Sequence, residues 1–355
     1  MSKRKVNKKN EKEEPPKKSR KVTKDDTVDS NSGTIYSTLK ENELLREHIL
    51  YLENQAEKNS KNSLILTACE KGNLELVKWA VKNRYSVNDR GLNGMTCLMY
   101  ACESGNLELV QYLLDNGSDI AQVNSYSETC LFSAIDNGHL EIVKYLVDNG
   151  SSLNELGNCE RNTLISATMS ENIELIEFIL DGGIPINSLN GYDQNCALIA
   201  CENNNLELLK YLHKKGASLH QVDNIGETCI LKSARNGHIE LIEYLLGNGC
   251  SLTDRNEKGN TCLLEAVEYG NSDLVKWLVI EKGCSLQEMN FLGTCVMNAA
   301  AEENVDLVTW MLNNGSSLKE NTCLATSRSN CESILKKMNI YEQVKKGLTI
   351  KSSRK

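Results

Sequence analysis

Fourteen cysteines and five histidines are the residues of this chain best equipped for metal, redox or nucleophilic chemistry. Metal ligation and dithiol exchange need several such groups held together, typically as a C-x-x-C pair or a cysteine–histidine cluster. No C-x-x-C occurs, and the histidines stand apart from the cysteines. There is also no G-x-S-x-G elbow, no phosphate-binding glycine loop and no H-E-x-x-H pair. The expectation is therefore a protein without catalytic residues, cofactor or bound metal.

The cysteines instead follow an internal period. Gly105-Asn106-Leu107-Glu108-Leu109-Val110 returns 33 residues later as Gly138-His139-Leu140-Glu141-Ile142-Val143, and again as Gly237-His238-Ile239-Glu240-Leu241-Ile242. Stepping by 33 gives Ser63, Thr96, Thr129, Asn162, Asn195, Thr228, Thr261 and Thr294, all able to cap a helix N-terminus with a side-chain oxygen. Five residues on come Ala68, Ala101, Ala134, Ala167, Ala200, Ser233, Ala266 and Ala299, small enough for helices to approach closely. Nine residues after the cap the first helix breaks at Gly72, Gly105, Gly138, Gly237 and Gly270, with Glu171, Asn204 and Glu303 in the other repeats. A second, amphipathic helix follows, as in Leu107, Val110, Leu113 and Leu114, and stops at glycines such as Gly117 and Gly150. Gly283 falls one residue late, which marks a small insertion.

This pattern resembles the ankyrin repeat, T-P-L-H-x-A followed by G-x-x-x-V-V-x-L-L-L-x-x-G, over about residues 61–338. The resemblance implies an all-α ankyrin-repeat solenoid: helix–turn–helix repeats with β-hairpin-like loop fingers, used for protein binding. The motif's proline is cysteine at Cys97, Cys130, Cys196, Cys229, Cys262 and Cys295, and its histidine is apolar, as at Met99, Phe132 and Leu198. Without those histidines, stability should rest more on apolar packing. Cys69, Cys102 and Cys201 stand beside the small alanine and read as small hydrophobes. Cysteines at like positions in adjacent repeats should lie about 10 Å apart, too far for disulfides. His139 and His238 precede the second helix and read as surface residues.

Four segments emerge: a basic disordered tail (1–35), a short amphipathic helix (36–57), the repeat array (61–341) and a basic disordered C-terminal tail (342–355). Leu45, Ile49, Leu52 and Ala56 share one face of the short helix, which either caps the array or dimerises as a short coiled coil. Thr322 follows Thr294 by only 28 residues, so residues 319–341 read as a degenerate C-terminal cap. The first 24 residues hold eleven of the 40 Lys/Arg and three of the 48 Asp/Glu, leaving an acidic body behind a basic tail. No apolar signal core and no run of about 18 apolar residues is present, so the thiols are expected in a reducing compartment. Pro16-Lys17-Lys18-Ser19-Arg20-Lys21-Val22 resembles the nuclear import signal of a polyomavirus large T antigen, and with Lys3, Arg4 and Lys5 also a bipartite signal. An import receptor is the implied partner and the nucleus the expected location. The alternatives are a cytoplasmic scaffold with a solubilising tail, or a weak nucleic-acid binder through the tail, against which the acidic body argues.

Two columns could hold a partner. Three residues before the caps stand Tyr126, Tyr192, Ile225 and Phe291, aromatic or apolar side chains at an expected turn, which either contact a partner or pack on the neighbouring loop. Seven residues after the caps stand Glu70, Glu103, Asp136, Glu202 and Glu268, which either steer a basic partner or form an ordinary solvated face. The reading is an adaptor for one or more proteins, with no membrane. A fluorescent fusion of the full chain is expected to accumulate in nuclei, and deletion of residues 1–24 to abolish this; an unchanged distribution refutes the import signal.

Overall fold

The computed structural model describes residues 63–316. The two tails with the import-signal residues, the 36–57 helix and the C-terminal cap lie outside the described residues.

Each repeat opens with an inner helix: α1 (Leu64–Glu70), α3 (Cys97–Ser104), α5 (Cys130–Asp136), α7 (Thr163–Met169), α9 (Cys196–Glu202), α11 (Cys229–Arg235), α13 (Cys262–Glu268) and α15 (Cys295–Ala301). Each is followed by an outer helix: α2 (Leu74–Lys82), α4 (Leu107–Asp115), α6 (Leu140–Asp148), α8 (Ile173–Asp181), α10 (Leu206–Lys214), α12 (Ile239–Gly247), α14 (Ser272–Ile280) and α16 (Val305–Asn313). The finger between repeats is an antiparallel turn. It is a two-stranded hairpin only at β1 (Met289–Asn290) and β2 (Gly293–Thr294), and a single bridge at Arg90–Thr96, Leu156–Asn162 and Val222–Thr228.

The caps explain where the inner helices start. Thr96 accepts from the Met99 N–H at 3.2 Å, Asn162 from Ile165 at 3.0 Å and Asn195 from Leu198 at 3.0 Å, with Thr129, Thr228 and Thr261 acting alike. Ser63 and Thr294 make no capping bond, so six of the eight expected caps operate. Ser63 instead donates to Asp89 at 3.1 Å. The helix break needs positive φ. Gly105 has φ +77, and a Cβ there would stand 2.7 Å from the His139 ring. Glu171, Asn204 and Glu303 adopt the same left-handed conformation at the strain of a side chain. The late Gly283 is compensated because the finger of that repeat runs from Asn290 to Thr294, one residue shorter than the Asn256–Thr261 finger.

An inner helix is buried nearly all round, as in Cys97 through Cys102, because it is packed between the inner helices of its neighbours and against its own outer helix. An outer helix buries one stripe, such as Leu109, Val110 and Leu113. Each such side chain contributes roughly 1.5–3 kcal/mol. Sixteen residues after the cap, all eight outer helices carry an aromatic: Trp79, Tyr112, Tyr145, Phe178, Tyr211, Tyr244, Trp277 and Trp310. Two of them reach the neighbouring repeat through their hydroxyls: Tyr211 donates to Glu177 at 2.9 Å, and the Tyr244 hydroxyl pairs with His213 Nδ1 at 2.8 Å.

Loss of the motif's histidines does not leave the repeats without hydrogen bonds to one another. Bonds between repeats are made by a different column, the caps of the outer helices. Asn106 accepts from Leu109 N–H at 3.1 Å and donates to the Gly72 carbonyl at 2.9 Å, and Asn172 does the same with Leu175 and Gly138. His139 makes no cap, but its Nε2 meets the Glu103 carbonyl at 3.1 Å, so it bridges repeats rather than standing free on the surface. His238 is half-buried, and burial lowers its pKa. No described helix is long and apolar enough to cross a membrane.

Asn106→Ala should lose the cap and leave the Gly72 carbonyl unpaired, a cost of about 1–3 kcal/mol read from the urea midpoint. Asn106→Asp keeps the acceptor and should recover part of it. A change in Asn106→Ala below about 0.5 kcal/mol would mean the bridge is energetically idle.

Candidate partner-binding face

The fingers are built to hold a tip side chain outward on a fixed backbone. Asn124 Oδ1 accepts from the N–H groups of Tyr126 at 2.8 Å and Glu128 at 3.1 Å. Asn190 does this for Tyr192 and Gln194, Asp223 for Ile225 and Glu227, and Asn256 for Lys258 and Asn260. A short side-chain carboxyl or amide reaches its own backbone two residues on, which is why these positions are Asn or Asp. Where glycine replaces them, at Gly91 and Gly157, the turn tightens, and the tips Asn93 and Cys159 take φ +54 and +53.

Successive fingers are also tied to each other. Ser125 N–H donates to Asn93 O at 2.8 Å, Gly191 to Cys159 O at 2.7 Å, Asn224 to Tyr192 O at 3.0 Å and Glu257 to Ile225 O at 3.1 Å. The tip backbones thus bond to the neighbouring finger while the tip side chains remain exposed. Tyr126, Tyr192 and Ile225 are 46%, 48% and 47% exposed, and Phe291 is 68% exposed. Tyr192 shares a 3.0 Å contact between its hydroxyl and the Cys159 thiol.

The tip column has a neighbour that sequence reasoning missed. Six residues before the caps stand Arg90, Val123, Leu156, Leu189, Val222 and Arg255, in which the four aliphatics are all exposed. Arg90 donates to Val123 O at 3.0 Å and Arg255 to Met289 O at 2.8 Å, each on the next finger, and Glu288 holds the position in the last finger. The signal is present in the 33-residue register, three residues ahead of the tip column. Together the two columns form an apolar band across consecutive fingers.

The acidic column on the inner helices is largely paired within the protein. Arg161 grips Asp136 with both oxygens at 3.0 and 2.9 Å, reaches Glu128 at 2.7 Å, and lies over the Phe132 ring at 5.4 Å. Glu202 pairs with the buried Lys232 at 3.2 Å, which also meets the buried Asp223 at 3.3 Å. Glu268 is held by Lys258 at 2.6 Å and Asn260 at 2.5 Å. Among the described residues Glu70 pairs with its exposed neighbour Lys71 at 3.3 Å. Glu103 is raised in pKa by burial first and then by repulsion from Glu70 and Asp136. Further along, Arg235 sits between the buried Glu227 and Glu265, at 2.5 and 3.6 Å, and Asn256 bridges the same two carboxylates. The face is acid-rich, and among the described residues Glu70 and Glu103 are the column acids least neutralised.

The core cysteines are buried as expected, Cys159 is exposed, and among the described residues no cluster of three or more His, Cys, Asp or Glu is placed to hold a metal.

Residues 37–124, 119–190 and 197–290 match the family model for ankyrin repeats in three copies. The chain belongs to the ankyrin-repeat family. The first matched stretch begins inside the 36–57 segment, and the last ends before α15 and α16, so the structure adds a repeat that the match leaves out. The solved ankyrin repeat domain of human ASB11 is similar in fold, with a TM-score of 0.50 and 24% identity over 57% of this chain and 90% of its own. No curated protein matches the chain. An ankyrin-repeat array is a protein-interaction module.

Because the Glu103 pKa lies above the ordinary 4.5, ionisation of this side chain opposes folding. The stability carried by the protonated form is complete below about pH 4.5 and is lost as pH rises through the folded-state pKa. Glu103→Gln should therefore raise the urea midpoint at pH 7 and match the native chain at pH 4. A lower midpoint for this variant at pH 7 would show instead that the carboxylate is favourably solvated.

Proposed function

We propose that this ankyrin-repeat chain is a non-catalytic nuclear adaptor that grips a protein partner along its finger tips and the adjoining inner helices. The observation that carries this reading is the set of exposed apolar side chains Tyr126, Tyr192, Ile225 and Phe291 with Val123, Leu156, Leu189 and Val222, on fingers most of which are bonded through their backbones to the next. Large side chains on a fixed backbone lose little freedom on binding, which is how a few anchors come to dominate an interface.

The acid-rich inner face next to this band favours a partner segment rich in lysine or arginine, drawn in by long-range attraction. Glu70 and Glu103 supply that field with least internal neutralisation. Reversing Asp136 or Glu202 would break the Arg161 and Lys232 pairs, so their effect would mix folding with binding. The basic tail, with Lys3, Arg4, Lys5, Lys17, Lys18, Arg20 and Lys21, supports import-receptor binding and hence the nuclear location.

Proximity labelling in cells tests the reading. Changing Tyr126, Tyr192 and Phe291 together to alanine should remove the specific partners while leaving the urea midpoint within about 0.5 kcal/mol of the native chain. For a partner so identified, Glu70→Lys with Glu103→Lys should weaken binding roughly tenfold at low salt, with less effect at high salt. Retention of the same partners by the triple alanine variant would exclude the finger band as the binding face.

A further inference from the structure

The sixth and seventh repeats differ from the others at one position of the inner helix. Four residues after the caps stand Thr67, Tyr100, Ser133, Ser166, Ile199, Lys232, Glu265 and Asn298, and the two charged members, Lys232 and Glu265, are both buried. The fingers supply them with buried partners: Asp223 and Glu227 flank Ile225, and Asn256 and Asn260 flank Lys258. Lys232 meets Asp223 at 3.3 Å and Glu202 at 3.2 Å. Arg235 lies between Glu227 at 2.5 Å and Glu265 at 3.6 Å. Asn256 donates to both of these carboxylates, at 3.0 and 2.6 Å, and Asn260 donates to Glu265 at 2.8 Å. Three buried carboxylates, Asp223, Glu227 and Glu265, thus share two cations. The outer neighbours do not correct the balance, because Glu202 adds a further negative charge at Lys232 and Lys258 is engaged by Glu268.

A buried charge without a counter-charge is costly, and a carboxyl avoids that cost by keeping its proton. Glu227 Oε2 and Glu265 Oε2 are both buried without a hydrogen-bond partner among the described residues. Hydrogen bonds favour the charged form, and Glu265 accepts two from side-chain amides where Glu227 accepts one. A proton on Glu227 Oε2 removes one of the three negative charges and leaves the bonds at Oε1 in place. We propose that Glu227 is the neutral acid in the folded chain, and that this proton helps clasp the sixth repeat to the seventh. Ionisation sets Glu227, on the finger before α11, against Glu265 on α13, across the boundary between the two repeats. Arg235 carries the seam to the surface, where it lies over the exposed Tyr269 ring at 5.1 Å. Burial raises the Glu227 pKa against the hydrogen bond from Asn256, repulsion from Glu265 adds to the rise, and Arg235 and Lys232 do not cancel it. The stabilisation is therefore complete below the ordinary 4.5 and is lost as pH rises through the folded-state value. Opening the boundary frees the carboxyl and releases its proton. Between those two values opening becomes easier by up to about tenfold per pH unit, and above the folded-state value it no longer depends on this group.

The test uses the full chain labelled with carbon-13 at its glutamate carboxyls, the Glu227 carbon being assigned through the backbone by magnetic resonance. Its chemical shift should report the neutral acid well above pH 4.5. In Glu265→Gln the same titration should move to lower pH, because the neighbouring charge is gone. Amide exchange in α11 and α13, corrected for intrinsic rates, should quicken with pH by up to about tenfold per unit until Glu227 has ionised. Glu227→Gln keeps Oε1 as an acceptor and has no proton to lose, so it should flatten that rise, while exchange in α1 and α3 stays the same in both chains. A Glu227 carbon that titrates at or below pH 4.5 in the native chain would overturn the proposal whether or not the variants fold. So would an exchange profile that rises equally in Glu227→Gln, or a titration unmoved by Glu265→Gln.

Discussion

The close contact between successive inner helices is the constraint from which the other features follow. Alanine five residues after seven of the caps, and serine at Ser233, removes the side-chain bulk that would hold the helices apart. The approach buries an inner helix on almost every side, and no single helix pair could achieve that burial alone. It also decides the chemistry of the cysteines. A thiol suits a tight apolar seam.

The same contact fixes the fingers. Each finger begins where an outer helix ends and finishes at the cap of the next inner helix, so the helix stack sets the spacing of the tips. Asn124, Asn190, Asp223 and Asn256 then lock each turn from within, and bonds such as Asn224 N–H to Tyr192 O lock neighbours together. With the backbone polar groups spent on one another, the side chains are the part of the finger left to meet a partner. The polar seams work in parallel: Arg161, Lys232 and Arg235 each join carboxylates contributed by more than one segment. Buried ion pairs add little net stability, because desolvation offsets much of their attraction. They do make a mismatched neighbour costly, since a slipped register would leave a buried charge alone.

Much of this was legible in the chain itself, because a 33-residue recurrence repeats each structural demand eight times. Helix starts at Thr96 or Asn162, the breaks at Gly105 and Gly138, and the exposed tips at Tyr126 and Phe291 are set by local rules: an oxygen at a cap, a positive φ, a turn in solvent. The column at Val123, Leu156, Leu189 and Val222 was equally readable from the register. What local rules do not reveal is which atoms meet across a boundary. His139 looks like a surface residue until the Glu103 carbonyl is placed beside its ring, and Asp136 looks like free charge until Arg161 of the next repeat closes on it.

Sequence by itself determined the repeat, its length, the helix pair within it, the acidic body behind a basic tail and the burial of the core cysteines, because each depends on residues near one another along the chain or on composition. Tertiary structure alone decided that Asn106 rather than a histidine of the inner helix bridges to Gly72, and that three of five column acids are neutralised from within. Except for Lys258 on Glu268, which are close in the chain, these contacts join residues roughly one repeat apart. They depend on the stagger of one helix against the next, a quantity set by packing in three dimensions and written at no single position of the chain.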